Sequence, residues 1–183
     1  MGQYYKPVIL KDNKKTVVKF MRSWDYSNGS KLMEHSWIGN NFVRAFETLI
    51  FRKPQIVVWA GDYADECKAR KSNIYQRCLD KLKVNPLSYE SLDEKFRYVI
   101  NHDKKLFVDK TKVPKITASW VGDDDYRIHP LPLLTSEGNG RGGGDFFGKD
   151  PKRLVGSWAR QLISIDDVVP EGYTELSFKL IEK

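Results

Sequence analysis

NNFVRAFETLIFRKPQIVVWAG, residues 40–61, is the stretch on which the fold is decided. From residue 41 to 51 apolar side chains recur at Phe42, Ala45, Phe46, Leu49 and Ile50. That is helical spacing, with Asn40 in the N-cap position and Pro54 just past the end. At residues 55–60 (QIVVWA) the pattern changes to a short, β-branched apolar run stopped by Gly61, which reads as a buried strand.

The same signals extend outward on both sides. Residues 4–10 and 16–21 are β-rich runs separated by KDNKK and predict an opening hairpin. A loop with a turn at Asn28-Gly29 follows. Ile74, Tyr75, Cys78, Leu79 and Leu82 are spaced for a second helix, begun near Ser72-Asn73 and ended before Pro86. Residues 96–101 and 106–110, joined by His102-Asp103-Lys104-Lys105, predict a second hairpin. Residues 116–121, 161–165 and 173–181 read as further strands, and 154–160 as a short helix weakened by Gly156. The fold class expected is α+β: a mainly antiparallel sheet of short strands with two or three helices packed on it, in a single domain over residues 1–183 with a Gly-rich loop at 136–150.

Composition agrees with a folded chain. The 183 residues are 40% hydrophobic and 13% aromatic, which argues against global disorder. A chain of this size buries roughly two-thirds of its unfolded surface. Cys67 and Cys78 form no CxxC pair, and no signal-peptide pattern or membrane-length apolar run is present. Met1-Gly2 resembles a myristoylation start, but position 6 is Lys where Ser or Thr is needed. A cytoplasmic protein with reduced thiols, away from membranes, is the expectation.

The net charge of +7 is unevenly spread: residues 66–115 carry 13 basic and 7 acidic groups, whereas residues 116–183 carry 8 and 11. A basic face towards a polyanionic partner follows, the alternative being a solvated lysine-rich surface. The phosphate-contact residues expected are Lys68, Arg70, Lys71, Arg77, Lys81 and Lys83 around the second helix, then Lys104, Lys105, Lys110, Lys112 and Lys115 in and after the second hairpin. Tyr75, Tyr98 and Trp120 are available either for base stacking or for the core. No RNP, KH or helix-turn-helix signature is present, so contact would be to phosphates without base readout.

Six of the 13 glycines fall in residues 138–148, framed by Glu137, Asn139, Arg141 and Asp145. The stretch contains GxGxxG, but Pro130 and Pro132 precede it and Gly148 and Pro151 follow, where a dinucleotide site needs a strand and a helix. A Walker A reading fails because Gly144 and Asp145 stand where Lys and Ser/Thr belong. What remains is a binding loop of His129, Asn139, Arg141, Gly142, Gly143 and Asp145, with glycine amides able to form an anion nest and Arg141 able to grip a phosphate. A purely structural loop is the competing reading.

An enzyme would use Asp62, His129 and Asp145, with Arg141, as acid, base and phosphate-binding groups. Asp62 at a strand end serves equally well as a turn cap. His35 beside Glu34 reads as an acid–base pair or as a polar pair at a helix start, and His102 as an exposed hairpin tip. Neither cysteine has a nucleophile's context, Cys78 falls on an apolar face, and no zinc spacing appears, so neither metal nor cofactor is expected.

The strings MGQYYKPVIL, LMEHSWIGNNFV, VVWAGDYADE, HPLPLLTSEGNGRGGGD and LVGSWARQLISI resemble a family of small proteins, without established catalytic residues, carried by gut bacteria and their mobile elements. The resemblance spans nearly the whole chain. Some proteins of this size and setting resemble anti-CRISPR inhibitors of type II effectors, which bind a nuclease–guide complex or its DNA site. The resemblance implies a non-catalytic inhibitor whose partner is a nucleic acid or a nucleoprotein such as a Cas effector. A charge of +7 departs from the acidic nucleic-acid mimics among such inhibitors, so this chain would bind alongside nucleic acid. A phosphoester-processing enzyme and a protein-interaction module are the alternatives.

Overall fold

The computed structural model describes residues 2–86, 96–116, 126–139 and 148–182. In chain order their elements are β1 (Tyr5–Leu10), β2 (Val17–Phe20), α1 (Leu32–His35), α2 (Asn41–Ile50), β3 (Gln55–Gly61), β4 (Tyr98–Asn101), β5 (Leu106–Asp109), α3 (Pro130–Thr135), β6 (Ser136–Glu137), β7 (Gly148–Lys149), β8 (Gln161–Asp166), β9 (Thr174–Glu175) and β10 (Ile181–Glu182). Seven strands lie in the order β2-β1-β3-β8-β4-β5-β9, and β6 joins β3 to make an eight-stranded sheet. Only β3–β6 and β5–β9 pair in parallel within it. The protein is therefore α+β with a mainly antiparallel sheet, and β7 and β10 form a separate two-stranded ribbon.

β3 is central because it is apolar on both sides, the pattern of a strand covered on both faces. Val57 and Trp59 point to one face, where Phe42, Val43, Phe46 and Ile50 of α2 and Leu131, Leu133 and Leu134 of α3 complete the larger core. Trp59 meets the rings of Phe46 and Phe42 at centroid distances of 5.3 and 6.0 Å. Ile56, Val58 and Ala60 point to the other face, with Val8, Leu10 and Phe20, and are covered by Ile74 and Cys78. α2 begins where Asn40 Oδ1 accepts from the amides of Phe42 and Val43 at 3.0 and 3.3 Å.

Both hairpins, α2, β3 and β8 lie where the sequence places them. The helix expected over residues 74–82 does not form. This segment is a series of turns ending in a 3-10 turn at Asp80–Leu82. Asn73 takes the bonds a helix would need: its amide and side chain exchange two hydrogen bonds with Gln76, and Nδ2 donates to the carbonyls of Asp62 and Ala64. Such local side-chain bonds compete with helix formation. The apolar spacing was still informative, because Ile74 and Cys78 are buried.

Residues 154–160 are also turns, not a helix. Gly156 has a φ of 76°, and the amides of Gly156 and Trp158 bond to the carbonyls of Leu133 and Leu134 on α3. Conversely, the proline-bearing stretch before the glycines, to which the sequence assigns no element, is α3. Pro130 at the first helical position and Pro132 two residues later give up only amides that a first turn leaves unbonded. Of the strand expected over residues 173–181, only Thr174 and Glu175 pair with β5. The strand expected over residues 116–121 lies outside the described residues from 117 onward, although Ile116 bridges Tyr126.

Asn40→Ala removes the α2 cap and its bond to Asn28 Oδ1. The expected result is about 1 kcal/mol less stability in urea unfolding with an unchanged m-value. A loss within measurement error would show that α2 is held by packing alone.

Candidate nucleic-acid interface

Two of the three histidines are core residues. Trp59 Nε1–H donates to His35 Nε2 at 2.9 Å, so His35 carries its proton on Nδ1, which donates to the Gly29 carbonyl at 3.0 Å. Burial holds His35 neutral, with its pKa pushed down to about 4. Glu34 is occupied as the acceptor for the Lys31 amide. His129, expected in a binding loop or as a catalytic base, is instead the buried N-cap of α3, only 1% exposed. Its Nδ1 accepts from the Leu131 amide at 3.1 Å, which leaves Nε2–H to donate to Glu47 Oε1 at 3.0 Å.

Glu47 on α2 also binds the Lys110 ammonium, so Lys110 is buried and is not a phosphate contact. Burial alone raises the Glu47 carboxyl, but Lys110 and His129 outweigh it and hold its pKa below the usual value. Burial pushes His129 down, against the pull of Glu47. Asp62, at the start of the segment covering the opposite face, accepts from the Tyr4 amide at 3.0 Å, so its carboxylate ties the end of β3 to the start of β1. The expected grouping of Asp62 with His129 therefore does not exist. His102 is not an exposed tip: it is half-buried and meets Ser164 Oγ at 2.8 Å and Tyr173 Oη at 3.0 Å. Ser164 is 3% exposed in the middle of β8, which denies this pair the access a nucleophile needs.

The surface cations behave differently. β1 and β4 end, and β3 and β8 begin, at one end of the sheet. There the β1–β2 turn meets the segment before β8 and the β4–β5 turn. Arg77 donates to the Lys15 carbonyl at 2.8 Å, Arg160 to the Lys14 carbonyl at 3.1 Å, and Lys104 Nζ to the Ser157 carbonyl at 2.9 Å. Lys14 pairs with Asp103 at 3.4 Å, and Arg160 forms a two-bond pair with Glu137. Arg77 is lowered by burial and then by the neighbouring charges of Arg70 and Arg160. Cys67 is lowered by the amides of Ala69 and Arg70, with Lys15 and Arg77 adding to it. Lys14, Lys15, Arg70, Arg77, Lys104 and Arg160 thus form one basic cluster.

Its backbone is unusual. Among the described residues seven non-glycine positions have positive φ, and six of them are Lys or Arg. Lys14, Lys71, Lys105 and Arg160 of this region are among them, at φ of 56°, 48°, 52° and 59°. Such positions favour Gly or Asn. Lys68, Arg70, Lys71 and Lys105 are exposed and have no ion pair among the described residues. Lys81 and Lys83 extend the segment towards β2, with Lys83 paired to Asp25 at 3.0 Å. Lys112, expected to join the cluster, lies past the far end of β5 and pairs with Glu175 at 2.6 Å.

Sequence reading missed Lys14, Lys15 and Arg160. The KDNKK turn carried the signal, but nothing in the sequence tied it to residues 77, 104 and 160. Of the binding loop, Asn139 is exposed and its amide donates to Gln3 Oε1 at 3.2 Å, while Arg141, Gly142, Gly143 and Asp145 lie outside the described residues. Gly138 answers part of the glycine question: a Cβ there would sit 2.3 Å from Gln3 Oε1 and 2.6 Å from Tyr5 Oη. Among the described residues no three His, Cys, Asp or Glu side chains converge as a metal site, and no helix is long and apolar enough to cross a membrane. Compared with known proteins, the chain matches no family model, no curated protein and no solved structure.

Two outcomes test the buried network. Lys110→Met leaves Glu47 with a single partner and is expected to cost about 3–5 kcal/mol, much of it recovered in Lys110→Met/Glu47→Leu. Additive losses in urea unfolding would contradict this coupling. For pH, the folded His35 refuses a proton that the unfolded chain accepts below its ordinary pKa of 6.5. Stability therefore falls as pH drops from 6.5 towards 4, with a slope of up to about 1.4 kcal/mol per pH unit for each such group. His129 acts with the same sign. An unfolding midpoint that stays flat from pH 7 to 4.5 would contradict it.

Proposed function

We propose that this chain is a non-catalytic, cytoplasmic binding protein whose partner is a nucleic acid, alone or within a nucleoprotein, gripped through phosphates by the basic cluster. The observation that supports it is the convergence of cations from four separate segments: Lys14 and Lys15, Arg70 with Arg77, Lys104 with Lys105, and Arg160. Several occupy left-handed turn positions that glycine fills more cheaply. Long cations at such positions lower stability and raise local charge, a trade common at functional sites. Free Cys67 and Cys78 suit a reducing compartment.

The sequence resemblance extends the proposal to an inhibitor from a mobile element acting on a guided nuclease with its bound nucleic acid, such as a Cas effector. The enzyme alternative loses its base, because His129 is buried against Glu47.

Glycine substitution separates charge from fold. Lys14→Gly, Lys71→Gly and Lys105→Gly relieve a positive φ, so the triple variant is expected to be at least as stable as the parent. Its duplex affinity should fall, and the slope of log K against log salt should shrink by roughly 0.9 per lost phosphate contact. Measured by fluorescence anisotropy, a parent affinity independent of salt, or a triple variant binding like the parent, would overturn the proposal.

A further inference from the structure

We propose that the groove between the Ser23–Tyr26 turn and the 62–86 segment receives one unpaired nucleobase, stacked on Trp24, with the adjoining phosphate facing Lys6. This rests on the nucleic-acid reading above and adds single-stranded character to it. The groove encloses about 260 Å³ and is lined by Lys6, Arg22, Ser23, Trp24, Ser30 and Tyr75 among others. That is below the roughly 300–1,000 Å³ of pockets that enclose a free small molecule, so it suits one unit of a longer chain anchored elsewhere.

Trp24 is 71% exposed, although its turn neighbours Ser23 and Tyr26 are buried. The fold draws little burial energy from this indole, which instead presents its surface at the groove. Lys6 lies 3.6 Å from the centroid of the Tyr75 ring and 5.5 Å from that of Phe20. It has no carboxylate ion pair among the described residues, and burial lowers its pKa. Arg22 beside it is paired with the exposed Asp80. A half-buried ammonium in contact with rings, with Asp80 and Asp62 acting on it only from beyond ion-pair distance, still has an anion to gain. Ser30 Oγ, half-buried and bonded to the buried Ser23 Oγ at 2.8 Å, supplies an exchangeable partner for a base edge.

Continuity favours the same strand for both places. Tyr75 is two residues from Arg77, so one segment carries the groove wall and a member of the basic cluster. Aromatic surfaces beside a cationic track are the general means of holding single strands, since every base has a π-face. A base locked in a duplex is already stacked and cannot enter, so the groove selects single strands, loops and ends.

The test is a titration of the full chain with a single strand of about 12 nucleotides and with the matching duplex, following both anisotropy and tryptophan emission. The parent is expected to be quenched by the single strand, and the part of the quench due to Trp24 to vanish in Trp24→Ala and Trp24→Phe. Trp24→Ala should weaken single-strand affinity by roughly 5- to 150-fold with duplex affinity unchanged, and Trp24→Phe should recover part of the loss. Lys6→Met should weaken the single strand selectively as well. If Trp24→Ala binds the single strand like the parent while the duplex still binds, the groove assignment is wrong and the basic interface stands. Equal weakening of both ligands also overturns stacking. If the parent binds neither ligand, the underlying nucleic-acid reading falls.

Discussion

One buried carboxylate organises the helical side of this protein. Glu47 Oε1 receives the Lys110 ammonium and the His129 imidazole, joining α2, the turn after β5 and the start of α3. Burying such charges is expensive, and only complete pairing offsets the cost. The pairing is complete down to the tautomer: His129 can give Nε2–H to Glu47 because its other nitrogen is taken by the Leu131 amide. That arrangement caps a helix whose first turn contains two prolines. It also removes from the surface the lysine and histidine that a sequence reader most readily assigns to binding or catalysis.

Among the described residues, with the polar groups of the core committed to structure, exposed cations gather in the turns at one end of the sheet and in the loosely wound 62–86 segment. That segment covers the second face of β3 through Ile74 and Cys78 while exposing Lys68, Arg70 and Lys71. The same few residues therefore complete a core and build a charged surface. Asn73 makes this possible by fixing the turns with its side chain, so that no helix is needed.

The legibility of the sequence followed the range of the interactions. α2, β3, β8 and both hairpins were readable because their signals are local: apolar period, the Asn40 cap, and turn residues between β-branched runs. The 74–82 segment was misread because its apolar spacing is helical while Asn73 diverts the backbone bonds. α3 was missed because Pro130 and Pro132 were weighed only against a strand before the glycines, whereas at a helix's first turn proline removes amides that have no partner. For the site, exposed Lys68, Arg70, Lys71, Lys104 and Lys105 were correctly placed at the surface. Lys110 and His129 are buried against Glu47, and Lys112 is exposed but pairs with Glu175 past the far end of β5, with partners remote in sequence in each case. Lys14, Lys15 and Arg160 join the cluster only through contacts that the β1–β2 turn makes across the sheet end.

Lysine acetylation footprinting tests the central claim, that this end of the sheet is the phosphate-binding surface, most directly. With saturating nucleic acid, Lys14, Lys15, Lys71, Lys104 and Lys105 should become protected, while Lys112 and Lys179, which flank a separate groove beyond the far end of β5, keep their reactivity. Protection spread evenly over all exposed lysines, or confined to Lys112 and Lys179, would contradict the account.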